Sequence, residues 1–323
     1  MPRPVMLGIV GDSGSGKTTI TRGIVRVIGE DQVTAFCTDD YHRYDRRQRA
    51  ERNITPLHPE CNYLDVLAQD LEHLRGNGAI MKPVYQHGDG TFGPPKYLQP
   101  KRFVITEGLL AFHTPELREM FDVRVYLAPP EELRRHWKVQ RDCSRRGYTT
   151  DQVLGELDRR EPDSEAFIRP QRHHADLVVA FQPSETADQE HLDAKLTLRD
   201  TLTHPDLSGV IAAGGEHGLV LTEQTGAQEL YVPGKIPPDR AAAIEEAIWE
   251  KLQFAQHLRQ QALGEFTIGT ELHHSDSLAL VQLIILYHML TARHVVSLGG
   301  GSARGFDSGV LEEMLASEAP AST

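Results

Sequence analysis

The chain has 323 residues, 39% hydrophobic and 25% charged, with 34 Lys+Arg against 46 Asp+Glu and a net charge of −12. This is the composition of a soluble globular protein, long enough for one large domain or a core with an appendage. The acidic balance argues against nucleic acid or an anionic membrane as the main partner.

Met1-Pro2-Arg3-Pro4 runs straight into an apolar segment, which predicts no signal peptide. Val5 to Val10 reads as a buried parallel strand. It leads into Gly11-Asp12-Ser13-Gly14-Ser15-Gly16-Lys17-Thr18, the G-x-x-x-x-G-K-[ST] phosphate-binding loop, with Thr19 directly after it. Ile20, Ile24, Val27 and Ile28 then recur at helical spacing. Glycines let successive backbone N–H groups curl around a phosphate, and the helix N-terminus adds positive potential. In that context Lys17 reaches the outer phosphates and the Thr18 hydroxyl binds Mg²⁺.

Val33 to Thr38 reads as a second strand, ending at Asp39-Asp40-Tyr41-His42. Side chains at the carboxyl end of a parallel strand face the ligand. Arg43, Arg46, Arg47, Arg49 and Arg52 follow, and five arginines in ten residues of an acidic protein suggest an anionic ligand; the bland alternative is a solvated loop with surface ion pairs. Asn62 is placed as the N-cap of a helix carrying Leu64, Leu67, Leu71 and Leu74. Lys82 to His87 reads as extended, which points Tyr85 and His87 the same way, and Gly88 to Pro95 reads as a loop.

Phe103 to Gly108 is a third strand with Glu107 at its tip, the expected Mg²⁺ partner beside such a loop. Val123 to Leu127 and Leu177 to Phe181 are further strands. Between them Glu131 to Arg146 is helical and ends at Gly147. Lys138, Arg141, Asp142 and Arg145 share one face, with Arg146 adjacent, which suits a lid over phosphates. Pro162 and Pro170 are read as turn markers after Arg159-Arg160. The alternation of strand and helix predicts an α/β fold of P-loop NTPase type, a parallel sheet flanked by helices.

Beyond residue 185 the composition shifts. Leu196 to Arg199, Leu219 to Thr222 and Glu229 to Val232 read as strands of an added, antiparallel piece. A helix opening at Pro237-Pro238-Asp239 carries Ile244, Ile248, Leu252 and Ala255. Ser275-Asp276 caps an apolar helix whose longest apolar stretch, Leu278 to Leu290, is too short to span a bilayer and contains Gln282 and His288. The expected organisation is a core over 1–185 with a lid near 131–172, a strand-plus-helix extension over 186–298, and a disordered tail over 299–323. Cys37, Cys61 and Cys143 form no C-x-x-C and no metal spacing, and fit a reducing cytoplasm. Neither His173-His174 nor His273-His274 is read as a metal site.

The segments GDSGSGKTT (11–19), CTDDYHRYDR (37–46), KPVYQH (82–87), TEGLLAF (106–112), WKVQRD (137–142) and RREPDSEAFIRPQRHHADLVV (159–179) resemble, in order, the phosphoribulokinase family. The resemblance implies ATP- and Mg²⁺-dependent phosphorylation of D-ribulose 5-phosphate to ribulose 1,5-bisphosphate in the Calvin cycle. It implies Asp39 as catalytic base and metal neighbour and Glu107 as the Mg²⁺-linked acid. It assigns His42, Arg46, Arg49, Tyr85 and His87 to the sugar phosphate, and Lys138, Arg141, Asp142 and Arg146 to the lid, Arg146 reaching substrate. It further implies a homodimer, like the longer forms, and an adaptor-mediated association with glyceraldehyde-phosphate dehydrogenase. Plant members carry a cysteine where this chain has Ser15, and lysines of relatives are replaced by Gln48, Arg49, Ala50 and Glu51.

Three other readings make different demands on these residues. A uridine-type nucleoside kinase would not need the arginine cluster. A P-loop GTPase would carry an N-K-x-D guanine reader, and no Asn-Lys dipeptide occurs. A non-catalytic ATP-binding regulator would be expected to lose Asp39 or Glu107, and both are present.

Overall fold

The computed structural model describes residues 2–184, 191–251, 263–268 and 271–297. In chain order the strands are β1 (Val5–Gly11), β2 (Val33–Cys37), β3 (Ile80–Gln86), β4 (Thr91–Leu98), β5 (Phe103–Gly108), β6 (Val123–Leu127), β7 (Leu177–Pro183), β8 (Leu192–Arg199), β9 (Val220–Gln224), β10 (Ala227–Val232), β11 (Glu265–Ile268) and β12 (Glu271–His274). The α-helices are α1 (Lys17–Ile28), α2 (Arg46–Glu51), α3 (Leu64–Arg75), α4 (Pro115–Glu119), α5 (Glu131–Arg146), α6 (Thr150–Asp163), α7 (Ser208–Gly214), α8 (Pro238–Lys251) and α9 (Asp276–Ser297).

Eight strands form one sheet in the order β2-β5-β1-β6-β7-β8-β10-β9. The first five are parallel, and β8, β10 and β9 join antiparallel at one end. The strands of the extension therefore continue the core sheet by hydrogen bonding to β7. All seven residues of β1 are buried, and their alternation divides the core in two. Val5, Leu7 and Ile9 pack with Ile20 and Ile24 of α1 and with α9, while Met6 and Val10 pack with Leu67 and Leu71 of α3 on the other face.

α9 is longer than the apolar stretch Leu278 to Leu290. It spans 22 residues because Ala292, Val295 and Val296 keep the buried face going past Thr291 and Arg293. By length and composition it could cross a bilayer, but 89% of its most apolar stretch is buried within the protein, against α1, β1 and β8. Its polar residues have partners there: His288 Nδ1 lies 2.7 Å from Ile284 O and its Nε2 2.9 Å from His204 Nδ1.

Several local readings change. Gly93, Pro94 and Pro95 lie in strand β4, not in a loop, because a two-stranded ribbon leaves outer positions that need no N–H donor. Tyr63, not Asn62, caps α3; Asn62 is extended and its amide is used elsewhere. Pro162 falls inside the last turn of α6, which runs into a π-helical turn over Ser164–Ile168, and Pro170 lies in a 3₁₀ turn. Leu252, Ala255 and the tail over 299–323 lie outside the described residues.

Candidate active site

The parallel strands all end at one edge of the sheet, and a cavity of about 1230 Å³ opens there. Its floor is the loop between β1 and α1. Gly14 and Gly16 have φ of +89° and +92°, a backbone that side chains resist and that a phosphate-cradling turn uses. Lys17 Nζ donates to Gly11 O at 2.8 Å and to Asp12 O at 2.9 Å. Burial lowers the Lys17 pKa from its ordinary value, against the pull of Glu107, Asp39 and Asp12.

Strand register brings two carboxylates to this floor. Glu107 pairs in register with Ile9 on one side and Cys37 on the other, so it stands beside the loop's entry. Asp39 follows β2 by two residues on a 3₁₀ turn over Thr38–Tyr41. Thr18 Oγ1 donates to Glu107 Oε1 at 3.0 Å. Glu107 Oε2 is buried with no partner. Burial raises the Glu107 pKa, opposed by Lys17 and Thr18. An orphaned carboxylate oxygen beside a hydroxyl is a donor set that fits Mg²⁺, which takes one or two protein oxygens and leaves the rest to water and phosphate. No cluster of three or more His, Cys, Asp or Glu suited to a metal occurs among the described residues, as this mode of binding allows.

Of the adjacent carboxylates Asp39 and Asp40, only Asp39 is available. Asp40 is ion-paired with Lys82 and accepts from Tyr85 N at 2.8 Å, so it anchors β3. Asp39 Oδ2 lies 3.8 Å from His87 Nε2. Burial pushes the Asp39 carboxyl up, but His42, His87, Lys17 and Arg160 outweigh it and hold it below its ordinary range. Burial in turn lowers both imidazoles. Asn62 Oδ1 lies 2.7 Å from His42 Nδ1, and Asn62 Nδ2 donates to Pro56 O and His58 O. With its oxygen facing the ring, the amide holds the proton on Nδ1 and leaves Nε2 as the lone-pair nitrogen. The Tyr85 ring stands edge-on to His42 at 4.9 Å and to His87 at 5.1 Å, fixing both.

The arginine cluster divides. Arg49 is buried, donates to Tyr85 Oη at 2.5 Å and lines the cavity. Arg46 also lines it, but its guanidinium donates to His87 O at 2.7 Å and so clamps the β3–β4 turn. Arg43 stacks on Tyr63, Arg52 on Tyr44, and Arg47 pairs with Glu51 at the surface. Two of the five thus face the site.

α5 closes the cavity from above. A Cβ at Gly14 would stand 3.0 Å from Lys138 Cβ, so helix and loop are in direct contact. Asp142 accepts from Lys138 Nζ and Arg141 Nε, each at 2.8 Å, and lies 3.5 Å from Arg146. Burial would raise its carboxyl, but Arg141 and Lys138 bring it to about 2. Lys138, Arg141 and Arg146 line the cavity. Asp142 does not: it orients the cations from behind. Gly11 and Asp12 also stand behind the loop rather than in the cavity wall. Asp12 accepts from Ser13 N at 2.7 Å, lies 3.5 Å from Arg134 and accepts from Ser164 Oγ, tying the loop to the lid.

Local sequence spacing assigns no role to three of these participants. Arg134 and Ser164 contact Asp12 across more than a hundred residues, which no local spacing reveals. In the sequence Arg160 is one half of the Arg159-Arg160 pair; in the structure it lines the cavity, pairs with Glu156, and its Nε is buried without a partner.

A sequence model described as the Phosphoribulokinase / Uridine kinase family matches residues 6–187. The chain is 37% identical over 190 residues to a phosphoribulokinase of Synechocystis sp., covering 59% of this chain and 57% of that protein. It is 31% identical over 182 residues to a uridine kinase of Chlamydia pneumoniae, covering 54% of this chain and 81% of that one. Among solved structures, a phosphoribulokinase from Rhodobacter spheroides superimposes with a TM-score of 0.58 at 18% identity, over 78% of this chain and 97% of that one, a likeness of fold. The chain spans little more than half the length of the curated Synechocystis relative.

Proposed function

Because the chain belongs to the phosphoribulokinase/uridine kinase family, we propose that it transfers the γ-phosphoryl group of ATP to the primary hydroxyl of ribulose 5-phosphate, giving ribulose 1,5-bisphosphate. What carries the choice of acceptor is the cationic wall around Asp39 formed by Arg49 and by Arg160 with its unpartnered Nε. A sugar phosphate is a dianion and needs such a wall; a nucleoside acceptor does not. The identity to the Synechocystis phosphoribulokinase supports the same acceptor.

Asp39 is ionised at neutral pH and takes the hydroxyl proton as the oxygen bonds to the γ-phosphorus and the bond to the ADP oxygen breaks. The transition state is loose, so the base accepts its proton late and a low pKa is no handicap. Lys17 and the loop N–H groups hold the triphosphate. Lys138 and Arg141, steered by Asp142, neutralise charge on the transferring group. Thr18 and Glu107, with Asp39 nearby, are the residues that would hold Mg²⁺, whose charge neutralises phosphate oxygens when bound.

The homodimer is part of this reading, supported by β9, whose outer edge pairs with no strand among the described residues. The adaptor to glyceraldehyde-phosphate dehydrogenase and the Calvin-cycle setting rest on the family resemblance. A cytoplasmic location is supported by Cys37, Cys61 and Cys143 all being free thiols. The deciding experiment is steady-state kinetics with ATP and Mg²⁺ on ribulose 5-phosphate, ribose 5-phosphate and uridine. A higher kcat/KM on ribulose 5-phosphate is expected; an equal or higher value on uridine overturns the proposal in favour of a nucleoside kinase.

A further inference from the structure

The family match ends at residue 187, but the cavity continues. In the sheet, β1 and its loop lie between β2, which carries Asp39, and β7 with β8. At about 4.8 Å per strand, β2 and β7 are roughly 19 Å apart across the cavity. The acceptor end is at β2. At the opposite end the wall becomes apolar: Phe181 and Pro183 close β7, Leu192 opens β8, Phe266 comes from β11 and Leu278 from the first turn of α9, with Trp137 of α5 on the lid side.

We infer that this wall is the nucleobase subsite and that the extension supplies half of it through Leu192, Phe266 and Leu278. The ligand's identity as a nucleoside triphosphate rests on the kinase reading above. Once the loop fixes the phosphates and the acceptor occupies the β2 side, the base has the β7–β8 side left. Flat rings bury well against aromatic and aliphatic side chains.

The wall is tied to the phosphate loop. Glu265 pairs with Arg26 of α1 at 2.6 Å, laying β11 along that helix. Gln282, wholly buried in the apolar α9, accepts from Gly264 N at 2.9 Å and donates to Thr19 O at 3.4 Å. It can reach there because Gly23 has no side chain; a Cβ at that position would collide with the Gln282 amide. Gln282 is thus a positioning residue joining β11 to the first turn after the loop. Phe266 is held by stacking on His273, ring centroids 5.5 Å apart.

The test is calorimetric binding of ADP and of inorganic pyrophosphate, both with Mg²⁺, to the full chain. Phe266→Ala should weaken ADP about tenfold, equal to about 1.4 kcal/mol, and leave pyrophosphate unchanged; Phe266→Tyr should restore ADP. Unchanged ADP affinity, equal weakening of both ligands, or no ADP binding by the wild type overturns the subsite. A protein that shows the ADP-selective loss yet phosphorylates no sugar phosphate keeps the subsite and loses the acceptor assignment.

Discussion

Thr18 Oγ1 and Glu107 Oε1 are 3.0 Å apart, joining the start of α1 to the tip of β5 across 89 positions of chain, and the second Glu107 oxygen is buried without a partner. A hydroxyl and a free carboxylate oxygen held together in this way make a divalent-cation half-site. Glu107→Gln should raise the Mg²⁺ concentration needed for half-maximal activity and lower kcat by about 10²-fold or more. Metal-free nucleotide binding should be little changed. A Mg²⁺ titration of the variant indistinguishable from the wild type would place the metal elsewhere.

Asp39→Asn should lower kcat by about 10²–10⁴, the range for loss of a positioned base, with KM for ATP nearly unchanged. The Asp39 carboxyl titrates below its ordinary value of 3.8, so it stays ionised as pH falls through the neutral and mildly acid range. Hence kcat/KM should show no acid limb from this group between about pH 5 and 8. A limb there that disappears in the Asn variant would contradict the assignment.

Arg160→Ala should raise KM for the sugar phosphate by about 10–100-fold, since a charge-assisted contact is worth about 1.5–3 kcal/mol, and leave KM for ATP alone. Equal effects on both substrates would move Arg160 to the nucleotide side.

Asp142 has an unfolded pKa of 3.8 and a folded value of about 2, and its side chain is 2% exposed. A depressed carboxyl contributes stability that is complete above the unfolded value and is lost as pH falls through the folded one. The gap amounts to about 2 kcal/mol. Asp142→Asn should lose at least this at pH 7, because Lys138 is left buried without its anion. Urea unfolding at several pH values checks the sign: the difference from wild type should shrink between about pH 4 and 2. A constant difference would mean that the pair adds nothing electrostatic.

Oxidation should not switch the enzyme off. The plant-type partner position in the loop holds Ser15, burial pushes the Cys37 thiol well up, and the Cys61 thiol is raised to about 11. Such thiols are poorly nucleophilic. Activity after incubation with oxidised dithiothreitol should match the untreated protein; a loss reversed by reduction would reveal a disulfide switch.

What the sequence by itself determined is whatever depends on neighbours along the chain. The phosphate loop, the acids at the tips of β2 and β5 and the cationic face of α5 are set by spacings of a few residues, and local geometry turns each spacing into a site. Tertiary structure decided which charges are used. Arg43, Arg46, Arg47, Arg49 and Arg52 look alike in the chain, but a guanidinium satisfies whatever packing brings to it: a tyrosine face for Arg43 and Arg52, a glutamate for Arg47, a turn carbonyl for Arg46, the cavity for Arg49. Arg160 and Ser164 entered the site, and β8 joined the sheet, through contacts formed only when distant segments pack. Gln282 shows the same limit: an amide in an apolar helix has no readable purpose until Gly264 and Thr19 stand on either side of it.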